Sequence, residues 1–410
     1  MRRIKSYLLL LAALVLAGCN GIERPFEGTF DQVLIYYGMG YNNLSNNLRT
    51  NLEQLSTDVL PGLSSDKAIV AFSHNVSAYG NYSAPNPPVL MRFYRGWDGK
   101  PVIDTLKVYE DMTLSASGAS IRRVLDDVRK DFPAHSYGMV VSSHGTGWLP
   151  PRYNYESEPS RRARAKLRQP ENPWPETKAI GNQFVGTATN PTWVELPDFA
   201  RAIPMHLDYL ILDTCLSGAV EVAYEFKDVC DRLVVSPTEI LTAGMIYGTL
   251  SWDMFSGAEP DFNTYCREYY EYYDGQSGSY RSGTISLVEC AALDELAAAF
   301  RDIVDAHRDA LAAEGLLNTV QRYFYGSSPL RFFYDLRDLC VGLGASAAEL
   351  GRLDAALAAA VPYHAETPTF FDLRLDNCCG LSVYIPEASR PQLNSYYRTL
   401  SWNQAVGLVE

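Results

Sequence analysis

Two apolar runs in this chain end on side chains that could act together. "MVVSSHGTGW" (139–148) breaks off into His144 and Gly145, and "LDYLILDTC" (207–215) delivers Cys215 where its hydrophobic residues stop. A thiolate is a strong nucleophile, and an imidazole can hold it deprotonated or hand a proton to a departing amine. Gly145 has no side chain to keep a carbonyl away from the backbone, and its N–H with that of Cys215 would form an oxyanion hole. The plainer alternative is a buried thiol and a hydrogen-bonded core histidine. Asp213 lies two residues before Cys215, so in an extended strand both side chains share a face. A carboxylate there suits an Arg or Lys side chain, or serves as an acceptor for nearby backbone amides.

The elements around these residues imply an α/β fold. Strands are expected at 31–38, 67–74, 89–96 and 102–109, the last two forming a hairpin around Trp97, Asp98 and Gly99. Helices are expected over Leu44–Leu60 and from the cap Ser117 to Phe132, then the His144 strand. A polar, irregular stretch (150–190), a short helix at Leu196–Ile203, the Cys215 strand, a helix after Gly218 and the strand "RLVVSP" follow. Strands alternating with helices predict a mostly parallel sheet covered on both faces, and such sheets build sites at the carboxyl ends of their strands. Beyond residue 257 come a tyrosine-rich helix, the strand "GTISLVEC", helices over Leu293–Ala313 and Ala345–Ala360, and strands in "FFDLRL" and "GLSVYIP".

Composition narrows the classes. With 410 residues and 47% hydrophobic content the chain is globular, and its formal net charge of −13 argues against nucleic acid as a partner. Arg2, Arg3 and Lys5 precede "LLLLAALVLAGC", too short to span a bilayer, and Leu16-Ala17-Gly18-Cys19 has the form of a bacterial lipobox. The expected organisation is a signal peptide (1–18), a tether from lipidated Cys19 to residue 30, a catalytic domain (31–256) and a C-terminal region of helices and strands packed on it (257–410). Such a protein is exported and membrane-anchored through Cys19, at the outer membrane or cell surface or facing the periplasm. None of the other cysteines is spaced as C-x-x-C, so no metal site is expected, and adjacent Cys378 and Cys379 read as ordinary buried thiols.

"SSHGTGW" followed by "LDYLILDTC" resembles the clostripain-like cysteine peptidases, relatives of caspases and gingipains. "LIYYGMGYNNLSNNLRTNLEQL", "DLRDLC" and "GLSVYIP" are similar to other segments of that family, so the likeness spans most of 31–386. The resemblance implies a caspase-like α/β/α sandwich, a helix-rich C-terminal addition, and peptide hydrolysis through an acyl-enzyme. His144 would be the acid–base, Cys215 the nucleophile, and the amides of Gly145 and Cys215 the oxyanion donors. Substrates would be proteins or peptides with basic residues, with Asp213 holding Arg or Lys. Glu239, in "SPTEILTAGMIYG", would be a second pocket carboxylate or the opening of a helix. The chemistry needs no cofactor; calcium enters through the resemblance alone, and no loop of EF-hand spacing is present.

Other features weigh less. His74, His135, His206, His307 and His364 have no partner pattern and read as surface or strand-end residues. No G-x-S-x-G elbow accompanies Ser142 or Ser143, which argues against a serine hydrolase. A rival reading is a non-catalytic surface lipoprotein binding peptide or glycan through the tyrosine-rich stretch 265–280. The chain is expected to be a monomer. In "EPSRRARAKLRQPENPWPE", Arg162, Arg164, Lys166 and Arg168 crowd a proline-flanked loop between the two site strands. This loop is expected to shield the cleft of a precursor and to be cut after one of those residues.

Overall fold

The computed structural model describes residues 24–77, 85–151, 174–178, 194–326, 328 and 330–410. The lipobox with Cys19 and the basic run holding Arg162, Arg164, Lys166 and Arg168 lie outside the described residues.

Nine strands make one sheet: Phe30–Gly40 (β1), Lys67–Asn75 (β2), Val89–Arg95 (β3), Pro101–Val108 (β4), Ala134–Ser142 (β5), Leu207–Asp213 (β6), Cys230–Val235 (β7), Thr284–Glu289 (β8) and Tyr363–Glu366 (β9). Their order is β9-β8-β7-β6-β5-β1-β2-β3-β4. The five central strands pair in parallel, while β3 and β4 on one side and β8 and β9 on the other pair antiparallel. Central strands covered on both faces have to be apolar along their length. In β1 every residue but Asp31 is buried, and β6 is buried apart from half-buried Asp208.

Helices cover the sheet in two connected groups. Gly118–Asp131 (α2), Leu196–Ala202 (α3) and Val220–Phe226 (α4) pack in series, and Ser401–Val406, Leu293–His307 and Ala347–Ala360 continue the layer. Ser117 caps α2 by accepting from Ser120 N, and Ser346 with Glu349 forms a capping box before the Ala-rich helix. The second group holds Ser45–Thr57 (α1), Leu250–Phe255 and Phe262–Asp274. Asp58, just past α1, joins it by accepting from Ser251 N and Oγ, both at 2.6 Å.

The sequence boundary at residue 256 divides a single sheet. Strands β8 and β9 come from the C-terminal region and extend the β7 edge by antiparallel pairing. Local composition carries no trace of that pairing, because the partners are far apart in the chain. The tyrosine-rich stretch also departs from its reading as a recognition surface. Tyr265, Tyr269 and Tyr273 recur every fourth residue on one helix face and are buried, leaving Tyr272 and Tyr280 exposed. His74, read as a surface or strand-end residue, is a buried strand-end histidine near the close of β2, and its Nδ1 meets Ser115 Oγ at 2.9 Å. Among the described residues all cysteines are free thiols, with the buried Cys230 and Cys290 sulfurs 3.8 Å apart.

Candidate active site

Register brings the two strand ends together. Ser142 at the end of β5 pairs with Asp213 at the end of β6, and with Gly38 of β1 on its other side. His144 and Cys215, each two residues beyond its strand, therefore emerge at the carboxyl edge of adjacent parallel strands. Leu216, directly after the cysteine, has φ +59°, a left-handed conformation rare for a leucine. Strain of this kind concentrates at functional turns, where the surrounding contacts hold it in place. Here Leu216 N donates to Thr238 O at 2.9 Å and Gly218 N to Ser236 O at 2.8 Å.

His144 is buried and bridges two groups. Its Nε2 lies 2.6 Å from Asn43 Oδ1 and its Nδ1 3.1 Å from Lys178 O. Burial drives the imidazole pKa down to about 3, so the ring is neutral. A neutral ring carries one N–H. Both nitrogens face an oxygen acceptor, so the single N–H goes to Asn43 Oδ1 or to the Lys178 carbonyl according to the tautomer. Cys215 is fully buried, and its sulfur accepts from Ile240 N at 3.0 Å. Burial, reinforced by the Glu239 carboxylate, pushes its thiol well above the ordinary range. Thiol and imidazole are therefore both neutral in this arrangement.

What fills the site is the chain's own segment Glu176–Lys178. It pairs antiparallel with 240–242: Lys178 N donates to Ile240 O at 2.7 Å and Thr242 N to Glu176 O at 3.0 Å. The Lys178 carbonyl oxygen accepts from Gly145 N at 3.1 Å. The amide expected to serve as an oxyanion donor thus meets a peptide carbonyl in place. A β-carbon on Gly145 would come within 2.7 Å of Thr214 Cβ and 2.9 Å of Cys215 O, so only glycine fits.

The Lys178 side chain runs into a closed pocket and is fully buried. Its ammonium pairs with the equally buried Asp213 carboxylate and donates to Ser142 Oγ at 3.1 Å. Asp213 also accepts from Ser142 Oγ at 2.7 Å, Tyr247 OH at 2.6 Å and Met245 N at 3.1 Å. A buried ion pair is tolerable only when its remaining lone pairs are satisfied, and these donors satisfy them. Gly244, at φ +81°, closes the pocket: a β-carbon there would sit 2.7 Å from Lys178 Nζ and 2.9 Å from the Asp213 carboxylate. Gly244→Ala should therefore lower kcat/KM for peptides cut after Lys by about 100-fold or more, because the methyl group takes the cation's place. Steady-state assays on a lysine peptide check it, and an unchanged value would mean that the pocket is not used by substrate.

Two sequence readings of site residues need revision. Glu239 is buried, but it reaches neither the Lys178 ammonium nor a helix start; it accepts from Thr177 Oγ1 at 2.6 Å and Ser328 Oγ at 3.0 Å. Its side chain therefore meets Thr177, the residue before Lys178. Asn43 and Lys178 were missed. Asn43 left only the "YNNL" motif as a signal, and Lys178 is one of several basic residues between the site strands. Among the described residues no cluster of His, Cys, Asp and Glu could hold a metal ion.

Comparisons with known proteins match the chain's fold and part of its sequence. The clostripain family profile matches residues 167–328. An inactive zymogen C11 protease from Parabacteroides distasonis superposes with a TM-score of 0.71 at 26% identity, covering 93% of this chain and 99% of that one. The secreted C11 cysteine protease iotapain from Bacteroides thetaiotaomicron gives 0.72 at 23% identity, over 93% and 100% of the two chains. Its complex with an irreversible peptide inhibitor gives 0.72 at 22% identity, over 92% and 99%. No curated protein matches the chain. The sandwich around a mostly parallel sheet is thus the C11 fold, and the chain is a cysteine peptidase similar to the clostripain family.

Proposed function

We propose that the protein is an exported, lipid-anchored endopeptidase that cuts after lysine or arginine and is made as a precursor with its own Lys178 in the specificity pocket. The observation that carries this reading is the seating of Lys178. Its ammonium lies on Asp213 and its carbonyl on the Gly145 amide, with His144 Nδ1 3.1 Å from the same oxygen. A substrate presents these groups to such a site. Export and anchoring rest on the lipobox ending at Cys19, and on the likeness to a secreted C11 protease.

The steps follow from the groups in place. Cys215 loses its proton to His144, and the sulfur attacks the carbonyl carbon of the basic residue. The oxygen takes up negative charge against the Gly145 amide, joined in this reading by that of Cys215. Collapse breaks the C–N bond, and His144 returns the proton to the leaving amine. Water, deprotonated by His144, then cleaves the thioester, frees the acid and restores the thiol. Asn43 fixes the ring so that Nδ1 faces the reacting bond. The precursor is silent toward other peptides because its own Lys178 segment occupies the pocket and the Gly145 amide. Cutting the Lys178–Ala179 bond would let the segment leave and admit water and substrate.

Asp213→Asn tests the specificity. The amide loses the charge that binds the cation, so kcat/KM for Lys and Arg peptides should fall by about 100- to 1000-fold. Alkylation of Cys215 by a small reagent should change far less. A library of peptides differing only before the cut decides it: a wild-type preference for Asp or for apolar residues there would refute the pocket role.

A further inference from the structure

The side chain before the buried lysine has its own receptor. Thr177 bridges antiparallel to Leu241, so the backbone fixes where its side chain points. Its hydroxyl donates to Glu239 Oε2 at 2.6 Å, while Ser328 Oγ donates to Oε1 at 3.0 Å. Glu239 is 2% exposed. Burial raises its pKa, and the hydroxyls of Thr177, Ser328 and Tyr325 work against that rise. A carboxyl group in a dry wall is thus satisfied by O–H donors alone, one of them from the departing segment.

We infer that Glu239 determines specificity at the position before the basic residue and selects serine or threonine there. The inference rests on the reading of Lys178 as a substrate-like occupant. When the segment leaves, Oε2 loses its donor within a largely buried wall. A substrate hydroxyl one bond from Cβ restores the hydrogen bond at the same reach, whereas valine, of the same shape, offers no donor in its place. An acidic side chain meets like charge. A lysine or arginine is too long to put its cation where a threonine hydroxyl sits without folding back on itself.

The test uses the processed full-length protein and peptides alike except for Thr, Val, Arg or Glu before a cleaved Lys. Threonine should exceed valine in kcat/KM by about 10- to 100-fold, the range for a hydrogen bond to a charged group. In Glu239→Gln the threonine-to-valine ratio should shrink about tenfold, because a neutral acceptor binds the hydroxyl more weakly. The wild-type peptide pair decides the matter even if that variant does not fold. Equal rates for threonine and valine, or arginine ahead of threonine, overturn the inference while leaving the lysine pocket standing. If no lysine peptide is cut in any context, the pocket reading falls and this inference falls with it.

Discussion

Cys215→Ala removes peptide hydrolysis, by about 10,000-fold or more, and leaves the fold in place. In the proposed mechanism the sulfur is the atom that bonds to the carbonyl carbon. The cavity left by one sulfur in this buried turn should cost only about 1–2 kcal/mol, which for a chain of this size lowers Tm by a few degrees. His144→Ala should lose activity to a similar extent while keeping a Cys215 that alkylates slowly, since the base is gone but the thiol remains. Active-site titration with a thiol-directed peptide reagent, together with thermal melts, checks both variants. Cys230→Ala and Cys340→Ala supply the contrast. These thiols are buried away from the site strand ends, so their loss should lower Tm and spare turnover. Near wild-type turnover in either site variant would show that the assignment is wrong.

The second large effect is on the chain itself. Purified wild-type protein should resolve into two fragments on a denaturing gel, with Ala179 as the new N-terminus, and Cys215→Ala should stay whole. The fragments should remain associated, because β5 and β6 lie on opposite sides of the cut and pair in one sheet. Lys178→Gln should abolish the cut and cost about 3–5 kcal/mol of precursor stability, since Asp213 would keep a buried charge with no cation beside it. Lys178→Arg should still be processed. N-terminal sequencing distinguishes this site from the basic run: a first residue between Arg162 and Gln169, with the Lys178–Ala179 bond intact in a fully active enzyme, would refute cleavage at Lys178. Equal cutting of Cys215→Ala would refute self-processing.

Much of the catalytic edge was legible in the sequence. Apolar runs broken by His144-Gly145 and by Cys215 mark buried strands with reactive ends, and the alternation of strands with helices makes those strands parallel. Parallel strands deliver their last residues to one edge, so the imidazole and the thiol could be brought together from pattern alone. The two-residue step from Asp213 to Cys215 likewise follows from the pleat.

Tertiary structure decided the rest. That β5 lies between β1 and β6 is what lets Asn43, after β1, reach across to His144. The division at residue 256 failed because β8 and β9 join the sheet by edge pairing, which depends on backbone hydrogen bonds and not on side-chain period. Lys178 looked like any basic loop residue, and its role arises from a pocket assembled by Ser142, Asp213, Gly244 and Tyr247. Glu239 carried the right charge for that pocket, yet its carboxylate reaches Thr177, one residue short of Lys178. Composition supplies the charges, but which charge meets which is settled by distances of a few ångströms between segments far apart in the chain, and no local period encodes them.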